Sequence, residues 1–93
     1  MWEDIKADNN YEILNCEPYT IRNKKTKRII KGWKNKKGYV QIELSKKHYQ
    51  LHRILAEQFT TNENEGFKQI DHKNGIKDDN KLSNLRWVNK LTY

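Results

Sequence analysis

Asp71 and His72 are adjacent side chains that together could hydrolyse a phosphodiester. A histidine with an ordinary pKa titrates at about pH 6.5, so its neutral imidazole can take a proton from water in the cell. A carboxylate supplies the oxygen ligands that Mg²⁺ prefers, and this ion often needs only one or two carboxylates besides water and phosphate oxygens. The pair could therefore bind one divalent cation and activate one water. Taken alone, an Asp-His pair is more often a surface hydrogen bond.

The segment around this pair predicts two short strands joined by a polar loop. Ile70 precedes the pair, and the apolar run Leu85–Val88 follows the loop. Asparagine side chains cap their own backbone in turns, and glycine adopts the positive φ that a reversing loop needs. We expect one set of residues to build the loop rather than contact substrate: Asn74, Gly75, Asn80 and Asn84.

The order of residues in this segment is specific. It comprises Asp71, His72, Gly75, Asp79, Asn80, Asn84, Leu85, Arg86 and Trp87. This set resembles the signature of the HNH nucleases, specifically the phage and intron homing endonuclease branch. Leu51–Phe59 looks like that family's His-Arg-Leu-Val-Ala-x-x-Phe helix. Residues 2–5 and 11–15 are similar to the N-terminal module that often precedes the nuclease domain, so the resemblance covers nearly the whole chain.

The resemblance implies roles for both residues of the pair. His72 would be the general base and Asp71 a ligand to Mg²⁺ or Mn²⁺. In the family, the closing strand leads into a helix whose Asn or His completes the metal site. The aligned position here is Tyr93, and a neutral tyrosine is a poor Mg²⁺ ligand. We therefore expect that ligand position to be lost, which leaves open whether the chain is an active HNH-type endonuclease or nickase.

Length and composition predict one small folded domain. The 93 residues are 34% hydrophobic, which is low, yet 11% are aromatic, and each buried aromatic ring removes about 150–250 Å² from water. The predicted class is α+β, with a small antiparallel β-sheet module and one helix; the resemblance implies that a ββ(α)-metal hairpin with a truncated final helix follows. We expect residues 1–50 to form a β-rich basic module and residues 51–93 the HNH-like motif, as one continuous unit.

Apolar periodicity predicts the elements that support the pair. Alternation over residues 39–44 predicts a half-buried strand, and apolar residues at helical spacing predict a helix from Leu51 that ends near Thr60. His52 lies on this helix and is expected to be a structural histidine, with a hydrogen bond to the loop as one option. Near the start, Trp2 and Ile5 suggest an apolar turn, and residues 8–10 suggest a second turn.

The basic residues are concentrated in the middle of the chain. The net charge is +7, and residues 22–47 hold eleven of the nineteen basic residues with Glu43 as their one acid. Such a strip, interleaved with Trp33 and Tyr39, fits contact with the phosphates of DNA or RNA. The competing interpretation is a solvated lysine-rich surface. The residues expected to bind nucleic acid, here called the cationic strip, are Arg22, Lys24, Lys25, Lys27, Arg28, Lys31, Lys34, Lys36 and Lys37.

Three functions fit these patterns. The first is a DNA-cleaving HNH nuclease, and the second is an inactive HNH-derived protein that inhibits a host defence nuclease, in the manner of an anti-CRISPR protein. The third is a decayed fragment that still folds. Cys16 has no second cysteine to pair with, and no segment resembles a signal peptide or a membrane span. These features predict a soluble protein in the cytoplasm of a host cell, with no membrane partner.

Overall fold

A computed structural model of the chain describes residues 1–62 and 66–88. In this part of the chain, a four-stranded antiparallel sheet comes first, with its strands in sequence order. Its strands are β1 (Trp2–Ile5), β2 (Asp8–Leu14), β3 (Ile21–Asn23) and β4 (Ile29–Ile30). The turn between β3 and β4 uses the Asn23 side chain, whose Oδ1 accepts the backbone N–H groups of Lys25 and Thr26. The asparagine side chain thus caps this hairpin turn locally.

A second antiparallel sheet, one α-helix and a closing hairpin follow. The sheet contains β5 (Trp33–Lys34), β6 (Val40–Leu44) and β7 (Lys47–Gln50), and the helix α1 (Leu51–Phe59) follows β7 directly. The closing hairpin consists of β8 (Gln69–His72) and β9 (Leu85–Val88), with a 3₁₀ turn at Leu82–Asn84 just before β9. The predicted α+β class is confirmed. The strand within residues 39–44 and the helix from Leu51, both predicted from periodicity, are also present, and the helix expected to end near Thr60 ends at Phe59.

One apolar core joins the two larger sheets, the helix and the closing hairpin. Ile5, Ile13 and Ile21 come from the first sheet, and Ile42 and Leu44 come from β6. The helix and the hairpin add to the same core through Ile54, Leu55 and Leu85. Since α1 packs against β6, β7, β8 and β9, it lies between the second sheet and the closing hairpin. The helix therefore fixes the position of the hairpin that carries Asp71 and His72.

The start of the chain differs from its prediction. Trp2 and Ile5 belong to β1 and not to an apolar turn, and residues 8–10 lie in β2 rather than in a turn. The reversal is at residues 6 and 7, because β1 pairs with β2 from Trp2↔Leu14 to Ile5↔Asp8. Strand pairing here overrides the turn preference of consecutive Asp and Asn residues. No helix in the described ranges is long and apolar enough to cross a lipid bilayer.

Candidate active site

The closing hairpin places Asp71 and His72 on opposite faces of one strand. β8 and β9 pair as predicted, with Asp71 opposite Arg86 and His72 opposite Leu85. Successive side chains of a strand point to opposite faces. His72 is turned inward and is only 6% exposed, whereas Asp71 is half-buried and reaches the exposed Arg86. Neighbours in sequence thus meet different surroundings.

A side-chain hydrogen bond fixes the protonation pattern of His72. Its Nε2 lies 2.8 Å from Oδ1 of Asn80. An amide oxygen can only accept, so the imidazole donates from Nε2, and in the neutral ring the lone pair is on Nδ1. Nδ1 is therefore the nitrogen that can accept a proton from water. Asn80 was predicted to build the loop, but its side chain is bound to the candidate base.

Two further rings pack around His72. The His52 ring lies edge-on to it, with centroids 4.8 Å apart, and Tyr39 lies 5.9 Å from His72 and 5.3 Å from His52. Burial, together with smaller contributions from the charges of His72 and Arg53, lowers the pKa of His52 to about 4. His52 is thus a neutral wall of the site near pH 7.

The His52 side chain makes no hydrogen bond to the loop through its buried nitrogen, although such a bond was one option from the sequence. Its Nδ1 is buried and has no hydrogen-bond partner among the described residues. The ring contacts Tyr39 and His72 instead. Two aromatic contacts offset part of the cost of leaving one ring nitrogen without a partner.

Asp71 is engaged by its neighbour across the hairpin. Nε and Nη2 of Arg86 both donate to Oδ2 of Asp71, at 3.0 and 2.8 Å. Both contacts use the same carboxylate oxygen, so Oδ1 takes no part in the ion pair. No hydrogen bond within the described ranges connects Asp71 to His72; each has its own partner on its own face.

The available side chains fit an open site for a hard divalent cation better than a structural metal site in which the protein supplies every ligand. No group of three or more His, Cys, Asp or Glu side chains comes together among residues 1–62 and 66–88. Asp71 alone could supply an oxygen ligand, with water and phosphate oxygens completing the shell, as Mg²⁺ permits. A structural Zn²⁺ site would need four protein ligands. Tyr93, the aligned third ligand position, lies outside the described residues.

Asparagine side chains organise the loop of the hairpin. Asn84 is buried, its Oδ1 accepts the backbone N–H of Asn74, and its Nδ2 donates to Oδ1 of Asn74 and to the backbone oxygen of Asp79. Asn74 also caps its own turn by accepting from the N–H of Ile76. Gly75 has a φ of +75°, a conformation that glycine adopts without steric cost.

The cationic strip divides into two sets. Four members have acidic partners that are distant in sequence: Arg22 and Lys27 pair with Glu12, Lys24 with Asp4, and Lys34 with Asp78. Arg22 also stacks on Trp2, with its guanidinium carbon 3.7 Å from the ring centre. The other five have no ion pair within the part of the chain that the structure describes: Lys25, Arg28, Lys31, Lys36 and Lys37.

Two of the five strip residues without an ion pair, Arg28 and Lys31, face an open groove. The groove has a volume of about 850 Å³ and lies between β4 and the β6–β7 turn. Arg28, Lys31 and Lys46 line it, with Glu43 as the one acid among its described lining residues. A net positive groove of this size can take a phosphate backbone, since phosphate contacts need charge and little shape.

Sequence reasoning missed three contacts of the candidate pair. These are the hydrogen bond between Asn80 and His72, the ion pair between Arg86 and Asp71, and the packing of the Tyr39 ring on His72. Arg86 could have been found once the register of the hairpin was fixed, because opposite charges often face each other across an antiparallel pair. Tyr39 had no local signal, because it precedes β6 and belongs to a different part of the fold.

Known proteins provide an independent comparison. The sequence model of the HNH endonuclease family matches residues 49–92. The chain is 41% identical over 93 residues to DNA endonuclease I-HmuI of Bacillus phage SP01. This alignment covers 94% of this chain and 51% of that protein. It is 38% identical over 92 residues to an uncharacterised HNH endonuclease of Acanthamoeba polyphaga mimivirus, covering 95% of this chain and 27% of that one.

A solved structure agrees with these sequences. It is described as "DNA binding and cleavage by the HNH homing endonuclease I-HmuI". The match has a TM-score of 0.77 at 33% identity, and it covers 99% of this chain and 54% of that one. The chain thus spans about half the length of the phage enzyme and about a quarter of the mimivirus protein.

Proposed function

This chain belongs to the HNH homing endonuclease family, and from that premise we propose that it is a DNA endonuclease which hydrolyses a phosphodiester with the help of a divalent cation. The observation that carries the proposal is the partly buried hydrogen bond from Nε2 of His72 to Oδ1 of Asn80. It leaves Nδ1 of a neutral imidazole as the free base. That is what general-base attack by water requires.

The residues supply the following chemistry. Nδ1 of His72 takes a proton from a water molecule as the water oxygen bonds to phosphorus. The bond from phosphorus to the ester oxygen breaks, and the products are a phosphate monoester and a hydroxyl, which gains its proton from solvent. Asn80 keeps the imidazole in the tautomer that can accept at Nδ1. His52 and Tyr39 hold the ring from the sides.

A divalent cation fits at Asp71. Mg²⁺ or Mn²⁺ bound there would stabilise the charge that develops on the phosphate and on the leaving oxygen. The carboxylate is half-buried, and its Oδ1 is outside the ion pair with Arg86. The remaining ligands would be water and substrate oxygens.

The two parts of the chain would have different roles, because the cationic strip lies in the first part and the Asp71–His72 pair in the second. Residues 51–93 would carry the cleavage centre and residues 1–50 the contacts to the DNA backbone. The unpaired members of the cationic strip support this proposal, because they present positive charge that no acid in the described residues neutralises. The alternative of an inactive inhibitor of a host defence nuclease has no specific contact in its favour.

Nicking of supercoiled plasmid DNA tests the proposal. The wild-type chain should nick in Mg²⁺ or Mn²⁺ and not in EDTA, and His72→Ala should reduce the rate by at least about 100-fold, the lower range for removal of a general base. His48→Ala is the matched control, since His48 is exposed and contacts Glu43 and the Trp33 ring rather than His72. Equal rates for the wild type and His72→Ala would refute the proposal.

A further inference from the structure

The side chain of Arg86 covers the one carboxylate proposed to bind a cation. Two of its N–H groups, on Nε and Nη2, converge on Oδ2 of Asp71. A guanidinium carries five N–H donors, and Nη1 makes no hydrogen bond to any described residue. The Arg86 side chain is 56% exposed, compared with 24% for Asp71. The arginine can therefore leave or turn at little cost in packing.

Next to Arg86 lies a shallow cleft that suits an anion. Its volume is about 580 Å³, and Lys73 and Arg86 supply its charges. No acidic side chain is among its lining residues in the described ranges. Thr60, Phe67 and Trp87 form much of the remaining wall. A phosphate of the substrate would find the cations Lys73 and Arg86 there, and no like charge among the lining residues that the structure describes.

Arg86 and a divalent cation make competing demands on Asp71. Each is positive, and both neutralise the same carboxylate, so each weakens the binding of the other. A phosphate offers the guanidinium a replacement partner, because its planar fork matches phosphate as well as carboxylate geometry. A DNA phosphate can thus replace Asp71 as the partner of Arg86 when the cation binds to Asp71.

We propose that Arg86 is a ligand for a DNA phosphate that is held on Asp71 in the free protein and transferred to the phosphate when DNA binds. The transfer removes the positive charge that competes with the divalent cation for Asp71, so DNA and cation bind cooperatively. This inference rests on the proposed nuclease function. Cooperative binding is reciprocal: whatever factor DNA adds to cation affinity, the cation adds to DNA affinity.

The first test measures Mn²⁺ binding to the DNA-free protein by calorimetry. Arg86→Gln removes the competing charge and should bind Mn²⁺ at least about fivefold more tightly than the wild type, within the usual range of coupling between sites. Lys73→Gln removes one charge nearby without touching Asp71 and should bind Mn²⁺ within about twofold of the wild type, below that coupling range. Equal or weaker binding by Arg86→Gln would overturn the inference, since Arg86 would then only orient the carboxylate.

The second test measures the affinity for a random-sequence DNA duplex, with and without Mn²⁺, by fluorescence anisotropy. His72→Ala serves as the background so that no DNA is cut, and Asp71→Asn gives the reference without a cation site. Mn²⁺ should raise DNA affinity at least about fivefold relative to that reference, and Arg86→Gln should reduce this gain by about the same factor that it adds to Mn²⁺ affinity in the DNA-free protein. An unchanged gain in Arg86→Gln would overturn the inference.

The two proposals fail in different ways. If the wild type nicks plasmid DNA in Mn²⁺ but Arg86→Gln binds Mn²⁺ no more tightly than the wild type, only the role of Arg86 fails. If no variant binds Mn²⁺ at Asp71 and no nicking is seen, the cleavage function fails and the inference fails with it.

Discussion

The Nε2 atom of His72, at the end of β8, lies 2.8 Å from Oδ1 of Asn80, which is eight positions further along the chain and within the hairpin loop. The loop therefore does more than connect two strands. It delivers an acceptor to the imidazole and leaves the other ring nitrogen with the lone pair. Asn80 and the groups around it thus determine which atom of His72 can act as the base.

Asn80 should be a positioning residue for the base. Asn80→Ala removes the acceptor for Nε2, so the ring loses its fixed tautomer. We expect kcat for nicking to fall about 10- to 100-fold, by analogy with the partners that orient metal-binding histidines. KM should change little, since Asn80 is directed at His72. Asn80→Asp keeps an acceptor oxygen and should retain most of the rate. Wild-type kcat in Asn80→Ala would show that the contact is only structural.

His52 should make the stability of the fold sensitive to mild acid. Its pKa is lowered from 6.5 to about 4 by burial, so below pH 6.5 the unfolded chain binds a proton that the folded chain does not. The free energy of unfolding should therefore fall as the pH drops from 6.5 towards 4, by about 2 kcal/mol by pH 5. Urea unfolding at about pH 7 and pH 5 measures this loss.

The control for His52 is a ring that does not titrate. His52→Phe should lose clearly less stability than the wild type over the same pH interval, whereas His48→Phe should behave like the wild type because His48 is exposed. The carboxyl groups with lowered pKa values, Glu3, Asp8, Glu12 and Asp78, are ionised in the fold at pH 5 and contribute at lower pH. Identical losses in the wild type and His52→Phe would rule out this role for His52.

The unpaired members of the cationic strip should carry most of the DNA affinity. Neutralising Lys25, Arg28 and Lys31 to Gln should reduce the slope of log affinity against log salt by up to about 2.7, at about 0.9 for each phosphate that is no longer neutralised. The matched variant neutralises Lys24, Lys27 and Lys34, which already have acidic partners. Its slope should change less. Fluorescence anisotropy over a series of salt concentrations measures the slope for each triple variant. Equal changes of slope in the two variants would contradict this division.

Asn84 should stabilise the hairpin loop. Asn84→Ala removes three hydrogen bonds and leaves their partners in a partly buried region, so the free energy of unfolding should fall by roughly 2–3 kcal/mol. Ser83→Ala is the control, because Ser83 lies in the same 3₁₀ turn but is exposed. Urea titration compares the two variants. Equal stability for both would mean that the loop is held by other contacts.

Local pattern was enough to predict many of the elements. The alternation of Val40, Ile42 and Leu44 and the helical spacing of Leu51 and Leu55 indicated β6 and α1, because burial of one face imposes those periods. The β1 strand could not be predicted in this way. Trp2–Ile5 is extended because it pairs with β2, and that partner is set by the three-dimensional fold.

The candidate site shows the same limit. Residue types and order identified Asp71 and His72, but strand geometry places them on opposite faces with separate partners. Charge counting along residues 22–47 found one acid, whereas the fold brings Asp4, Glu12 and Asp78 to four of the basic residues. Partners distant in sequence decide which lysines are free, and no local pattern encodes them.

The position of one bound manganese ion tests the central claim most directly. Crystals of the His72→Ala variant with duplex DNA and Mn²⁺ should show an anomalous peak within about 2.5 Å of a carboxylate oxygen of Asp71, the range for oxygen ligands of divalent ions. Crystals grown in the same way from the variant that carries both His72→Ala and Asp71→Asn should lack that peak. Manganese bound elsewhere on the protein, or a peak that survives Asp71→Asn, would contradict a hydrolytic centre built on Asp71 and His72.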